Sequence, residues 1–249
     1  MCLIVVGWRV APAYPLVVAA NRDEFYARPT AVAARWPQAP QVIAGRDLEA
    51  GGTWLGITDS GRFAAVTNVR EPGQPPGRYS RGQLTRDFLC GDQAALPYLQ
   101  QLAGGDYAGF NLLVGDGEQL AYFSNRGGPP RCLPPGVYGL SNRLLDSPWP
   151  KLLKARERFA AALPLLPDEQ VFVSLLADDE IVPDHELPQT GVSLEWERRL
   201  SAIFVRSENY GTRASTVVWQ RADGAVQLHE QSYGPQGVAL QSSLISTGV

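Results

Sequence analysis

Apolar runs that come in pairs, each pair joined by a short turn, constrain this chain more than any other feature. Residues 53–58 and 62–69 flank Asp59-Ser60-Gly61, 110–114 and 119–124 flank Gly115-Asp116-Gly117, and 212–220 and 225–231 flank Ala222-Asp223-Gly224. Each triplet supplies a glycine for positive φ, as antiparallel hairpins require. Residues 3–8 and 16–20 form a fourth pair across Ala-Pro-Ala-Tyr-Pro. Runs such as Leu3-Ile4-Val5-Val6 and Leu112-Leu113-Val114 are apolar on successive residues, so both faces of the strand need cover. Helical segments lie between the hairpins: from a Ser80 cap to about Cys90, over 94–102, over 149–163 after Ser147-Pro148, and over 167–177, where a proline and acids open the first turn. Hairpins interleaved with helices predict an α+β fold, two stacked antiparallel sheets covered by helices in a four-layer αββα sandwich, with residues 1–249 as one domain.

Charge narrows the partners. The net charge of −3 arises from 22 basic and 25 acidic residues without long runs, which argues against nucleic acid. Cys2, Cys90 and Cys132 are too few and too dispersed for a disulfide framework or a four-ligand zinc site, so no metal and a reducing, cytoplasmic setting are expected. Arg9 inside the first apolar stretch, with Pro12 and Pro15 after it, disfavours a signal peptide, and no apolar run reaches the roughly 20 residues of a membrane span. His185 and His229 are the only histidines, and neither G-x-S-x-G, H-E-x-x-H, a Walker A loop nor a helix-opening G-x-G-x-x-G occurs.

Cys2 stands out by position. A small second residue permits loss of Met1, which would place a thiol and a free α-amine on one residue. That amine, with an ordinary pKa near 7.7 to 8, can act as a local base. Position alone leaves a second reading open, a small apolar residue starting a buried strand. If residues 3–8 pair with 16–20, Asn21-Arg22-Asp23-Glu24 returns to the end of the sheet where Cys2 begins, near enough to tune the thiol or hold the amine. A solvated charged turn is the alternative. Asn68, Asn111 and Asn142 adjoin apolar strands, where an amide can donate to an oxyanion or simply end a strand. Arg213, in Gly211-Thr212-Arg213-Ala214-Ser215-Thr216, suits a carboxylate, and Trp54 is one of several aromatics suited to an apolar ligand or to the core.

Met1-Cys2-Leu3, Asn21-Arg22-Asp23-Glu24, Gly51-Gly52-Thr53-Trp54-Leu55-Gly56, Thr67-Asn68-Val69-Arg70, Gly109-Phe110-Asn111-Leu112-Leu113, Gly139-Leu140-Ser141-Asn142 through Asp146-Ser147-Pro148-Trp149-Pro150-Lys151, and Tyr210-Gly211-Thr212-Arg213 together resemble the NRDE family, associated with Golgi organisation, lipid and energy metabolism and haem trafficking. More distantly the chain resembles cysteine-type N-terminal nucleophile (Ntn) hydrolases such as bile salt hydrolases and penicillin V acylases. That resemblance implies Cys2 as nucleophile, Asn68 and Asn142 as the two oxyanion asparagines, Arg213 in the place of a late arginine, and a small acyl or amide substrate. Asn21 and Glu24 stand where those enzymes carry arginine and aspartate. The family resemblance also implies a second expectation, a carrier of haem or an acylated lipid using the same cleft without a resident cofactor.

Overall fold

The computed structural model describes residues 2–248. In chain order the strands are β1 (Cys2–Ala11), β2 (Tyr14–Phe25), β3 (Thr30–Trp36), β4 (Ala39–Asp47), β5 (Leu55–Thr58), β6 (Phe63–Asn68), β7 (Phe110–Gly115), β8 (Leu120–Ser124), β9 (Arg131–Leu133), β10 (Gly136–Leu140), β11 (Tyr210–Gln220), β12 (Val226–Tyr233) and β13 (Ala239–Ser246). The α-helices are α1 (Arg81–Cys90), α2 (Ala95–Gln100), α3 (Pro150–Ala162), α4 (Glu169–Leu176) and α5 (Leu194–Arg199). All strand pairings are antiparallel. One sheet has the order β10-β1-β2-β11-β12-β13 and the other β3-β4-β5-β6-β7-β8-β9. All four expected hairpins are present.

The doubly apolar strands explain the layering, because alternate side chains go to opposite faces. On β1, Ile4, Val6 and Trp8 join Leu16, Val18, Ile57, Phe63 and Leu113 between the sheets. Leu3 and Val5 instead meet Leu152, Phe159 and Phe172 of α3 and α4. On the second sheet Ala64, Val66 and Leu112 lie under Leu84, Phe88 and Leu99 of α1 and α2. The result is the expected helix, sheet, sheet, helix order. Burial of Phe159, edge-on to Phe172 at 5.4 Å, contributes about 1.5–3 kcal/mol to the helix-covered face.

Helix ends depart slightly from expectation. α4 starts at Glu169, with Asp168 accepting from the Gln170 amide, so Pro167 precedes the helix rather than opening it. Five strands, β3, β4, β9, β10 and β13, and one short helix, α5, had no counterpart in the apolar pairing. The β3–β4 hairpin interrupts its apolar pattern with exposed polar positions such as Arg35 and Gln41, and β13 is an edge strand with most residues exposed. Among the described residues, no helix is long and apolar enough to cross a membrane.

Candidate active site

Strand pairing brings the amino-terminal stretch and the Asn21-Arg22-Asp23-Glu24 run together, with Cys2 opposite Arg22 and Leu3 opposite Asn21. Alternation then divides the run. Cys2, Arg22 and Glu24 follow Ile4, Val18 and Ala20 towards the space between the sheets, whereas Asn21 follows Val17 and Ala19 towards the helices. Beyond the apolar inter-sheet core that space opens into a cavity of about 600 Å³, and Cys2, Arg22, Asp23, Glu24, Trp54, Asn68 and Arg213 are among its lining residues. Neither histidine lines it. The expectation about Met1 lies outside the described residues.

Cys2 is buried, and burial raises its thiol pKa while Arg22 opposes that rise and Asp23 and Glu24 reinforce it. Arg22 is itself deeply seated, with Nη2 at 3.6 Å from Asp47 and 3.8 Å from Glu24. Glu24 also accepts from the Phe25 amide at 2.9 Å. Asp23 accepts from Thr212 Oγ1 at 2.8 Å, and burial pushes its carboxyl pKa up against the pull of Lys151.

The asparagines separate into distinct roles. Asn142 Nδ2 donates to both the carbonyl and Oδ1 of Asn68, at 3.0 and 2.9 Å. This fixes the Asn68 amide with its oxygen engaged, and Asn68 is among the residues that line the cavity. Asn142, expected to face the oxyanion, is absent from the lining and acts instead as the support of Asn68. Asn111 is likewise not at the wall. Its Nδ2 donates to Thr67 Oγ1 at 3.1 Å and to the Arg143 carbonyl at 2.9 Å, while Tyr122 donates to its Oδ1 at 2.9 Å, so no polar atom is left for substrate. Asn21 also leaves the site. Buried on the helix side, it donates to the Leu176 and Ile203 carbonyls at 2.8 and 2.9 Å and accepts from Ser215 at 2.6 Å. Arg213 lines the cavity, but its Nη1 is taken up by the carbonyls of Phe25, Tyr26 and Arg28, which clamps the turn after β2.

Several residues of the site escaped sequence reasoning. Thr67 donates to the Ser141 carbonyl at 2.6 Å, and Ser141 Oγ donates to the Cys2 carbonyl at 2.9 Å, so a buried chain of hydrogen bonds runs from the second sheet to the start of β1. Both hydroxyls adjoin asparagines already singled out, which was the available signal. Glu230 on β12 lines the cavity, accepting from the Ala33 amide of the opposite sheet at 2.7 Å, and nothing in its sequence context marks it. Gly52 lets the wall close: a Cβ there would lie 2.4 Å from the Gly82 carbonyl in the first turn of α1.

Two kinds of similarity accompany this geometry. Residues 1–235 match the Transport and Golgi organisation 2 family. The mouse Transport and Golgi organization 2 homolog is 37% identical over 257 residues, covering 93% of each chain, and the bovine homolog is 39% identical over 258 residues with the same coverage. The Drosophila melanogaster protein is 29% identical over 246 residues. Among solved structures, a mutant conjugated bile acid hydrolase from Clostridium perfringens aligns with a TM-score of 0.53 at 7% identity, covering 99% of this chain and 92% of that one. A Caenorhabditis elegans ortholog of N-acylethanolamine-hydrolyzing acid amidase aligns with a TM-score of 0.50 at 13% identity, covering 87% and 92%. At such identities the likeness concerns the fold, which is that of the Ntn hydrolases. The sequence matches, running over nearly the whole chain, show that it belongs to the Transport and Golgi organisation 2 family.

Proposed function

We propose that the protein is an N-terminal cysteine hydrolase acting on an amide or related acyl bond of a small, apolar substrate. The observation that carries this reading is the meeting of Cys2, Arg22 and the Asn68 amide, from three remote stretches of chain, on one cavity. With Met1 removed, the α-amine of Cys2 takes the thiol proton as sulfur attacks the carbonyl carbon and a C–S bond forms. Asn68 Nδ2 donates to the oxygen as it gains charge, and Asn142 keeps that amide from rotating. The C–N bond then breaks, the ammonium returns a proton to the leaving amine, and water hydrolyses the thioester. Because burial holds the thiol protonated, an adjacent base is needed, and the α-amine supplies it without a histidine. Trp54 offers an apolar wall for the acyl group.

The test is turnover of a panel of N-acyl amides and thioesters by the wild type, Cys2→Ala and Asn68→Ala, with intact-mass measurement of the amino terminus and of trapped acyl adducts. Loss of roughly a thousandfold in Cys2→Ala, with a Cys2 acyl adduct in the wild type, is expected. Unchanged turnover in Cys2→Ala, or retained Met1 in the active protein, overturns the mechanism. A Cys2-dependent Soret shift on haem titration without turnover of any acyl substrate would favour the carrier instead.

A further inference from the structure

A nucleophile on the first residue of a mature chain has to be held in place, because terminal residues fray unless something ties them down. On one side Cys2 pairs with Arg22 of β2. On the other side β10 lies against β1 with Ile4 opposite Leu140 and Val5 opposite Gly139, a register that would set Leu3 opposite Ser141 and Cys2 opposite Asn142 if it continued. It stops at Leu140. The next two residues are drawn to the end of β6 on the second sheet: Thr67 donates to the Ser141 carbonyl at 2.6 Å, the Arg70 amide donates to the Asn142 carbonyl at 2.8 Å, and Asn142 Nδ2 donates to Asn68. The ladder is thus cut short beside the residue where the proposed chemistry sits. A side chain takes its place. Ser141 Oγ donates to the Cys2 carbonyl at 2.9 Å, with its next acceptor, Asn142 Oδ1, farther away at 3.3 Å. Cys2, Ser141 and Asn142 are all buried, so the hydroxyl meets a need that bulk water does not.

We propose that Ser141 is a positioning residue of the candidate site: its hydroxyl replaces the missing strand partner of Cys2, so that the Ser141-Asn142 dipeptide sets where the thiol of one sheet stands relative to the Asn68 amide of the other. This rests on the reading of Cys2 as the nucleophile and Asn68 as the oxyanion donor. The two anchors leave the dipeptide through adjacent side chains, Ser141 to Cys2 and Asn142 to Asn68. Adjacent Cα atoms lie about 3.8 Å apart across a rigid peptide plane, so the anchors cannot drift independently. Thr67 and the Arg70 amide hold the two carbonyls of the same dipeptide, which fixes it to the second sheet through its backbone as well. Attack on a carbonyl depends on such placement, a shift of about 1 Å costing roughly a hundredfold in rate.

The hold on Cys2 is read by 13C NMR on protein labelled at the cysteine carbonyl carbons, with the Cys2 resonance assigned by its absence in Cys2→Ala. A carbonyl carbon moves upfield on losing a hydrogen bond, so Ser141→Ala should move the Cys2 resonance upfield and Ser141→Thr, which keeps the hydroxyl, should restore it. Thr67→Val, which frees the Ser141 carbonyl, should move it the same way by less, and supplies the test if Ser141→Ala fails to fold. On N-acyl amides turned over by the wild type, Ser141→Ala should lose roughly 10- to 100-fold in kcat with KM unchanged. Added to Asn68→Ala it should cost no more than about threefold, since the amide against which the thiol is aligned is then gone. A Cys2 resonance unmoved in folded Ser141→Ala or Thr67→Val, absence of rescue in folded Ser141→Thr, or kcat losses that multiply in full in the double variant overturns the assignment. The resonance needs no substrate, so an inactive panel with the upfield shift intact would sink the hydrolase reading alone and leave Ser141 as the holder of Cys2.

Discussion

Replacing Asn21 by alanine tests whether the first residue of Asn21-Arg22-Asp23-Glu24 serves the fold or the chemistry. The side chain is fully buried and satisfies three partners on three other segments: the Leu176 carbonyl at the end of α4, the Ile203 carbonyl, and the Ser215 hydroxyl on β11. Alanine strands all three in a region closed to solvent. At about 1–3 kcal/mol for each buried group left unpaired, reduced by partial relaxation, the loss comes to about 4 kcal/mol. For a chain of this size that lowers Tm by roughly 8–16 °C. Thermal and urea unfolding of Asn21→Ala and Ser215→Ala measure it, the second variant expected to lose only about 1 kcal/mol because it removes one bond. Peptide-resolved alkylation of Cys2 by iodoacetamide, run below the transition, reports the thiol separately and should be unchanged. A melting point within 2 °C or so of wild type, or native stability with altered Cys2 reactivity, would refute the assignment of Asn21 to the fold.

Two further predictions concern buried charge. Glu230 is held in the inter-sheet wall by the Ala33 amide and Thr216, and burial raises its carboxyl pKa. A carboxyl whose folded pKa exceeds its unfolded one contributes stability below the unfolded value and loses it as pH rises through the folded value. Glu230→Gln, which keeps an acceptor for Ala33, should therefore match wild type in acid and exceed it at neutral pH, and urea denaturation at pH 4 and pH 7.5 compares them; an advantage confined to acid contradicts the sign. Arg70 and Glu197 form an ion pair at 2.8 Å with side chains 4% and 6% exposed. Arg70→Met should cost about 3–5 kcal/mol by leaving Glu197 uncompensated, and Arg70→Met with Glu197→Leu should recover part of it in the same urea assay; equal loss in single and double variants would show that the pair is not coupled.

Much of the architecture was legible because the chain writes it locally. Turn triplets at Asp59-Ser60-Gly61, Gly115-Asp116-Gly117 and Ala222-Asp223-Gly224 mark hairpins, and successive apolar residues on β1 and β7 demand cover on both sides. β13 was not legible, since its residues are mostly exposed and none is fully buried. The meeting of Cys2 with Arg22 followed from one hairpin. What side-chain identity could not convey was the destination of each amide. Asn68, Asn111 and Asn142 look alike as asparagines beside apolar strands, yet Asn68 reaches the cavity, Asn142 holds Asn68, and Asn111 is fully engaged by Thr67, Arg143 and Tyr122. Their partners lie more than 10 residues away in sequence, so no local pattern records them.

Strand alternation could have divided the motif in advance, and it explains why one four-residue run serves two purposes. Once Leu3 and Val5 are assigned to the helix-covered face, pairing Cys2 with Arg22 forces Asn21 to the same face as Leu3. The run then couples the layers mechanically. Asn21 ties β2 to the carbonyls of Leu176 and Ile203 on one side, while Arg22 on the other side reaches Asp47 across the inter-sheet space. Displacing β2 by a single residue would exchange the two faces, burying the guanidinium under α4 and presenting an amide to the cavity. The cost of a buried unpaired cation makes that register prohibitive, so the same charges that suit Arg22 to the thiol also fix where the thiol stands.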